Sequence, residues 1–170
     1  SDLNAALNGL VFTPERNFQG EEFLDLRVED RGASGAGGPL GAISGVSIQV
    51  RSVIDGAPLA HPIATPYQTL SQSGLVLERN PVDGPEVTHF QITAIAGGQL
   101  YRPDGQTEIA NGSFITALDG LAGLRFRPSG MEPGSFQVRA ALAPDTSGLG
   151  GDLATALITV TQAAQTLSLG

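Results

Sequence analysis

The sequence contains no cysteine, no lysine and no tryptophan, and the first two absences restrict what the protein can be. Without cysteine, neither a disulfide framework nor a thiolate metal site can form. Without lysine, the nine basic residues are all arginine, and they stand against 17 acidic residues for a formal net charge of −8. An acidic surface gives phosphate backbones little to bind, so nucleic acid is not an expected partner.

Long apolar runs are also absent. No stretch of 18 apolar residues and no charged-then-apolar leader is present, so we expect no membrane contact from this segment, and a signal or anchor would lie outside it. Disorder is not expected either, because 41% of the residues are hydrophobic and only 15% are charged. The 23 glycines and 11 prolines instead suit many short strands joined by tight turns.

Apolar and polar residues alternate wherever the chain is not rich in glycine or proline. In residues 23–29, Leu24, Leu26 and Val28 fall on one face of an extended strand. The same pattern predicts further half-buried strands at residues 46–50, 75–78, 87–95, 124–127, 135–142 and 154–161.

Turn signals separate these strands. The strongest is Pro103-Asp104-Gly105, which predicts a hairpin over residues 100–109. Further reversals are predicted at Asp83-Gly84, Asn111-Gly112 and Asp119-Gly120. A short helix or single helical turn is predicted only at residues 1–9 and 116–121.

The chain contains two copies of one sequence repeat. The first copy is partial and contains only the C-terminal half of the repeat. The shared motifs are Gly-Leu-x-Phe-x-Pro, apolar-x-apolar-Arg, Ser-Gly-x-Gly-Gly and Ile-x-Val. They align Leu10 with Leu124, Leu24 with Phe136 and Val50 with Val160, at offsets that drift from 114 through 112 to 110. Such drift indicates short insertions between the elements of a tandem array, with a unit the size of one β-sandwich of about 100 residues.

The repeat predicts the domain organisation. Residues 1–51 would be the C-terminal half of a first repeat, residues 52–162 a complete second repeat, and residues 163–170 the start of the next linker. Residues 51–66, which are rich in proline, are predicted as the linker between repeats. Because half a sandwich exposes strand edges, we expect residues 1–50 to join the sheet of the second repeat or to be completed by another chain in a strand-swapped homodimer.

The motifs also resemble a known family. Leu75-Val76-Leu77-Glu78, Asp83-Gly84-Pro85, Phe90-Gln91-Ile92 and Asn111-Gly112-Ser113-Phe114 resemble the cadherin-like or chondroitin-sulfate-proteoglycan-like tandem repeats of large, adhesin-type bacterial surface proteins. The resemblance covers nearly the whole chain. It implies an all-β fold of antiparallel Greek-key β-sandwich repeats of the Ig/cadherin-like kind, one complete and one partial, strung end to end outside the cell.

Calcium is the cofactor that this resemblance implies. Val53-Ile54-Asp55 matches the family's Val-Asn-Asp linker, Glu29 and Asp30 match an acidic strand end, and Asp83 is a fourth candidate ligand. The chain also departs from the family: Ala-Leu-Ala stands at residues 141–143, and Tyr-Gln replaces Glu-Asp at residues 67–68. Since calcium takes six to eight oxygen ligands, losing two carboxylates weakens or removes such a site.

Other candidate constellations favour structural roles. His61 and His89 lack zinc-binding spacing and are expected at the surface or packed. The adjacent pairs Glu21-Glu22 and Glu29-Asp30 would point to opposite strand faces, which does not suit paired acid and base catalysis. The glycine-rich runs at residues 32–38 and 148–151 have no following lysine or helix, so we expect flexible inter-strand loops rather than phosphate loops.

These observations predict a non-catalytic module with no enzymatic activity. The leading hypothesis is a calcium-stiffened extracellular stalk or adhesion element of a bacterial surface protein. Its partners would be neighbouring repeats and a host-cell, biofilm or glycan receptor. The alternative is a glycan- or protein-binding β-sandwich module that uses the loops at residues 32–38 and 143–152.

Overall fold

The computed structural model describes residues 5, 7–29, 38, 40–72, 74–162 and divides into two compact units, Ser1–Ser52 and Val53–Gly170. In unit 1, β1 (Gly20–Glu29) and β2 (Gly41–Val50) form an antiparallel hairpin in which Leu24 lies opposite Val46. Leu24 and Leu26 are half-buried, as their alternation with charged residues predicts, whereas Val28 on the same predicted face is 44% exposed. Ala5 and Leu7 are helical, and most of the rest of the predicted N-terminal turn lies outside the described residues.

One expectation for residues 1–50 is wrong over the described part of the chain. β1 and β2 pair only with each other in a two-stranded sheet and do not join the sheet of the second repeat. In unit 2, the places on both sides of the equivalent hairpin, residues 134–141 and 149–161, are filled by strands of unit 2 itself, at residues 89–96 and 63–66.

Unit 2 is built mainly from short strands, as the many turn signals predict. Two of the longer strands, β11 (Gly134–Ala141) and β12 (Leu149–Thr161), follow one another in the chain and pair antiparallel. The other strands are β3 (Leu59–Ala60), β4 (Ile63–Pro66), β5 (Leu77–Glu78), β6 (His89–Ala96), β7 (Gly98–Tyr101), β8 (Glu108–Ile109), β9 (Phe114–Thr116) and β10 (Arg125–Pro128).

These strands form a five-stranded sheet in the order β4-β12-β11-β6-β9, a three-stranded sheet β10-β7-β8 and a small sheet β3-β5. Both larger sheets contribute to one core, with Phe90, Phe136 and Ile158 from the first and Leu100 and Phe126 from the second, all fully buried. This is a sandwich-like, all-β arrangement.

The α-helix in the described part of unit 2, α1 (Ala117–Ala122), starts and ends on local signals. The Thr116 hydroxyl accepts a hydrogen bond from the Asp119 N–H at 3.0 Å, and Gly123 terminates the helix with φ +92°. This confirms the short helix predicted at residues 116–121. The reversal predicted separately at Asp119-Gly120 is wrong, because both residues lie inside α1 and the turn comes at Gly123.

Two further expectations need correction. Residues 59–66 are not a linker, because β3 and β4 lie there and β4 is the edge strand of the five-stranded sheet. β4 also pairs parallel to β12, with Ile63 opposite Ile158, so the sheet is not purely antiparallel. Parallel pairing is possible because nearly the whole of unit 2 connects these two strands, and Pro66 is tolerated because it lies on an edge strand.

The two hairpins pair equivalent residues. Leu24 lies opposite Val46 in unit 1, and the positions that the sequence repeat aligns with them, Phe136 and Ala156, lie opposite each other in unit 2. A shift of one residue in the pairing of the two strands would have moved the apolar side chains of one strand to the opposite face of the sheet. The repeat in sequence therefore corresponds to a repeat in backbone pairing over this hairpin.

Candidate functional site

Asp83 is the most buried of the described acidic residues in unit 2. It ends a turn at residues 80–83, next to the reversal predicted at Asp83-Gly84, and its own N–H donates to the carbonyl of Asn80 at 2.9 Å. Its side chain is only 8% exposed, and Oδ1 accepts a hydrogen bond from the Asp55 N–H at 2.7 Å. Two of the predicted calcium candidates, 28 residues apart in the sequence, are therefore in direct contact.

Asn80, at the other end of the same turn, holds the same backbone segment. Its Nδ2 donates to the carbonyl of Ala57 at 2.9 Å, and its Oδ1 accepts from the Val82 N–H at 3.1 Å. A side chain at Gly56 would collide with the Asn80 amide, so glycine is required between the two contacts. We call Asp55, Gly56, Ala57, Asn80 and Asp83 the Asp83 clamp.

The Asp83 clamp leaves one polar atom without a partner. Asp83 Oδ2 is buried and receives no hydrogen bond from the described residues. A buried carboxylate oxygen without a donor is costly, and a bound cation or an ordered water would compensate for it. This oxygen is of the hard type that calcium prefers.

The start of β12 packs against the clamp. A Cβ at Gly150 would approach the Ile54 Cβ to 2.9 Å, and one at Gly151 would approach the Gly56 carbonyl oxygen to 2.6 Å. The Arg139 Nε also donates to the Gly151 carbonyl at 3.1 Å. The glycines at residues 148–151 therefore permit close backbone approach, and the prediction of a flexible loop there is wrong.

The clamp contains two of the four predicted ligands, Asp55 and Asp83. Glu29 ends β1 in unit 1, where it pairs with Arg27 at 2.6 Å, and Asp30 lies outside the described residues. Over the described residues, no group of three or more histidine, cysteine, aspartate or glutamate side chains converges.

The remaining candidates occupy separate places. His61 lies 3.6 Å from a carboxylate oxygen of Glu78, while the His89 ring is 2.8 Å from the Thr88 hydroxyl. Gly32–Gly37 of the first proposed binding loop lie outside the described residues. The second, residues 143–152, is shorter than expected, because a 3-10 turn occupies Thr146–Gly148 and β12 begins at Leu149.

Two exposed aspartates are strongly hydrogen-bonded. The hydroxyl and N–H of Thr107 and the N–H of Gln106 donate to Asp104, which lowers the pKa of its carboxyl from 3.8 to about 2. The hydroxyl and N–H of Ser147 likewise lower the pKa of Asp145. Both carboxylates stabilise turns, and neither faces a buried site.

Sequence reasoning found Asp55 and Asp83 but missed Asn80 and Arg139. The Asn80-Pro81 dipeptide was a usable signal, since asparagine before proline favours turn initiation. Arg139 gave no signal, because its role depends on how β11 and β12 pair.

Neither a comparison with models of protein families nor one with curated proteins finds a match to this chain. No helix in the described part of the chain is long and apolar enough to cross a membrane.

Proposed function

We propose that this chain is a non-catalytic repeat module of an extracellular stalk or adhesion element in a bacterial surface protein, built from Greek-key sandwiches of the cadherin-like kind. The observation that supports the proposal most is the shared register of the two hairpins, with Leu24 opposite Val46 and Phe136 opposite Ala156. Repetition of both sequence and pairing is typical of tandem arrays, in which each unit contributes length rather than chemistry.

Calcium stiffening is the second part of the proposal. The Asp83 clamp supports it, because Asp83 presents a buried carboxylate oxygen without a donor beside the backbone of Asp55. A bound cation would tie the segment entering unit 2 to the turn at residues 80–83. That is the place where rigidity would matter in a chain of repeats.

The location and role can be tested together in the source cells. With an antibody raised against this chain, we expect added protease to remove the signal from intact cells, because a surface stalk is accessible. Protection of the signal until the cells are lysed would contradict the extracellular placement. A cytoplasmic protein digested under the same conditions only after lysis is the control.

The alternative function is a binding module for a glycan or a protein partner. One surface favours a protein partner: Leu118 and Leu121 of α1 are 76% and 58% exposed beside a shallow cavity of about 160 Å³ that Leu77 and Arg79 also line. A glycan array and a pull-down with the purified chain separate the possibilities. Retained glycan binding, or a partner lost on Leu118→Ser substitution, would favour the module over the stalk.

A further inference from the structure

The two strands of unit 1 differ sharply in charge. β1 carries charged side chains at five of its ten positions, whereas β2 carries none at any of its ten. Charged residues on an edge strand discourage pairing with another strand, and an uncharged edge without proline permits it. The hairpin therefore has one protected strand and one unprotected strand.

The outer edge of β2 has no strand partner among the described residues, since β1 and β2 make up a two-stranded sheet. Two of its apolar side chains are also exposed, Ile43 at 69% and Val46 at 46%. Isolated two-stranded hairpins are marginally stable, so an additional strand on this edge would stabilise unit 1.

Unit 2 shows what the same edge does in the other copy of the repeat. β12 is the equivalent of β2, and its outer edge binds β4 through residue pairs such as Ile158 with Ile63. The sequence repeat aligns Ile158 with Ile48 of β2. The outer edge of β2, which has no strand partner among the described residues of unit 1, therefore corresponds to the edge of β12 that binds a strand in unit 2.

We propose that the outer edge of β2 pairs with β2 of a second copy of this chain, antiparallel and about a two-fold axis, giving a four-stranded sheet β1-β2-β2-β1. The same uncharged strand on both sides makes the contact self-complementary and closed. Each chain carries a net charge of −8, so an uncharged strand is where two copies can approach without opposing carboxylates. Pairing through β1 would instead place Glu21, Asp25 and Glu29 against the same residues of the second copy. This proposal stands whether or not the chain is a stalk.

Sedimentation equilibrium of the full chain over a wide concentration range tests the mass. We expect a reversible dimer at twice 17.4 kDa. Ile43→Lys, which places a charge on β2, should shift the equilibrium to monomer. Phe23→Lys is the matched control, because Phe23 is 67% exposed on the same face of the hairpin but lies on β1, and it should leave the dimer intact.

Crosslinking tests the geometry, and the natural absence of cysteine makes each introduced thiol the only one. We place a single cysteine in turn at each of residues 43–48 and expect disulfide-linked dimers. At one position near the two-fold axis, the disulfide should form at least about tenfold faster than in Asp25→Cys in β1. The reason is that a disulfide needs Cα atoms within about 7 Å.

Three results would overturn the proposal. The first is a monomer at every concentration. This result would overturn the proposal even if the β2 amides were protected from hydrogen exchange, because the protection would then come from the chain's own residues. The second is open-ended assembly rather than a dimer. The third is equal crosslinking through β1 and β2.

Discussion

The carboxylate of Asp83 accepts a hydrogen bond from the backbone N–H of Asp55 at 2.7 Å, across 28 residues of sequence. This contact, together with the one from Asn80 to Ala57, fixes the segment that leads into the first strands of unit 2. It uses only one oxygen of the carboxylate and leaves the other, Oδ2, buried and without a donor among the described residues.

Calcium should therefore stabilise the protein through Asp83. A ligand that binds only the folded state stabilises it by about 2.7 kcal/mol at a concentration 100 times its Kd, and we expect a rise in the midpoint of thermal unfolding in calcium relative to chelator at matched ionic strength. Asp83→Asn keeps the bond from Asp55 but removes the charge, so it should abolish the rise.

Asp104→Asn, at an exposed aspartate, is the control and should retain the full calcium effect. Equal midpoints in calcium and chelator for the unsubstituted chain would show that no such site exists. An undiminished rise in Asp83→Asn would place the ion elsewhere.

The contact between Gly74 and Gly123 should be intolerant of a methyl group. Gly123 has φ +92°, and a Cβ there would approach the Gly74 Cα to 2.9 Å, next to the bridge between Leu75 and Leu124. Gly123→Ala should lower the free energy of unfolding by about 3 kcal/mol, from backbone strain and overpacking together.

Gly112→Ala separates these two causes in the same urea-unfolding measurement. Gly112 has a similar φ of +84° but open space around it, so its cost should be the strain alone, about 1 kcal/mol. Equal losses in the two variants would refute the steric part of this explanation.

A strained alanine in β6 offers a stabilising substitution. Ala94 has φ +52° at the point where the pairing of β6 with β11 shifts register, which is the geometry of a β-bulge. Ala94→Gly should raise the free energy of unfolding by about 1 kcal/mol. Ala96→Gly, at a second exposed alanine of β6 with negative φ, should lower it by about 0.5 to 1 kcal/mol. Destabilisation by both would mean that the bulge carries no relievable strain.

Acid should weaken the hairpin of β7 and β8 through Asp104. The folded state lowers the pKa of this carboxyl from 3.8 to about 2, so its contribution to stability is fully present above about pH 4 and is lost as the pH falls towards 2. Urea midpoints measured between pH 5 and pH 2 should fall less steeply in Asp104→Asn than in the unsubstituted chain. A carboxyl carbon of Asp104 that titrates in NMR near pH 4 would contradict the role of its hydrogen bonds to Thr107 and Gln106.

Much of the strand arrangement could be predicted, because it is encoded locally. The alternation in residues 23–29 corresponds to β1, and Pro103-Asp104-Gly105 forms the predicted reversal between β7 and β8. Prediction failed at β4, where proline-rich sequence suggested a linker. Hydrogen bonds to a long neighbouring strand, β12, hold Ala64 and Pro66 in an extended strand although neither residue type favours one.

The candidate site was predictable only in part. Asp55 and Asp83 were proposed separately as acidic residues, but no local pattern indicates that one donates to the other. Asn80 and Arg139 take part because of backbone atoms that folding brings to them, at Ala57 and at Gly151. Side chain to backbone bonds of this kind depend on position in space rather than on residue type.

The sequence by itself determined most of the elements: the longer strands from alternation of period two, the reversal at Pro103-Asp104-Gly105, the short helix after Thr116, and the repeat that aligns Leu24 with Phe136. All of these depend on interactions between near neighbours or on direct comparison of residues. Only the tertiary structure decided that β4 pairs parallel with β12 and that Asp83 contacts Asp55. Only the structure, too, showed that the apolar face buried in unit 2 is just half-buried at Leu24 and Leu26 of unit 1. Those contacts join residues that are distant in the sequence. They stabilise the protein only after the chain has folded and brought these residues together.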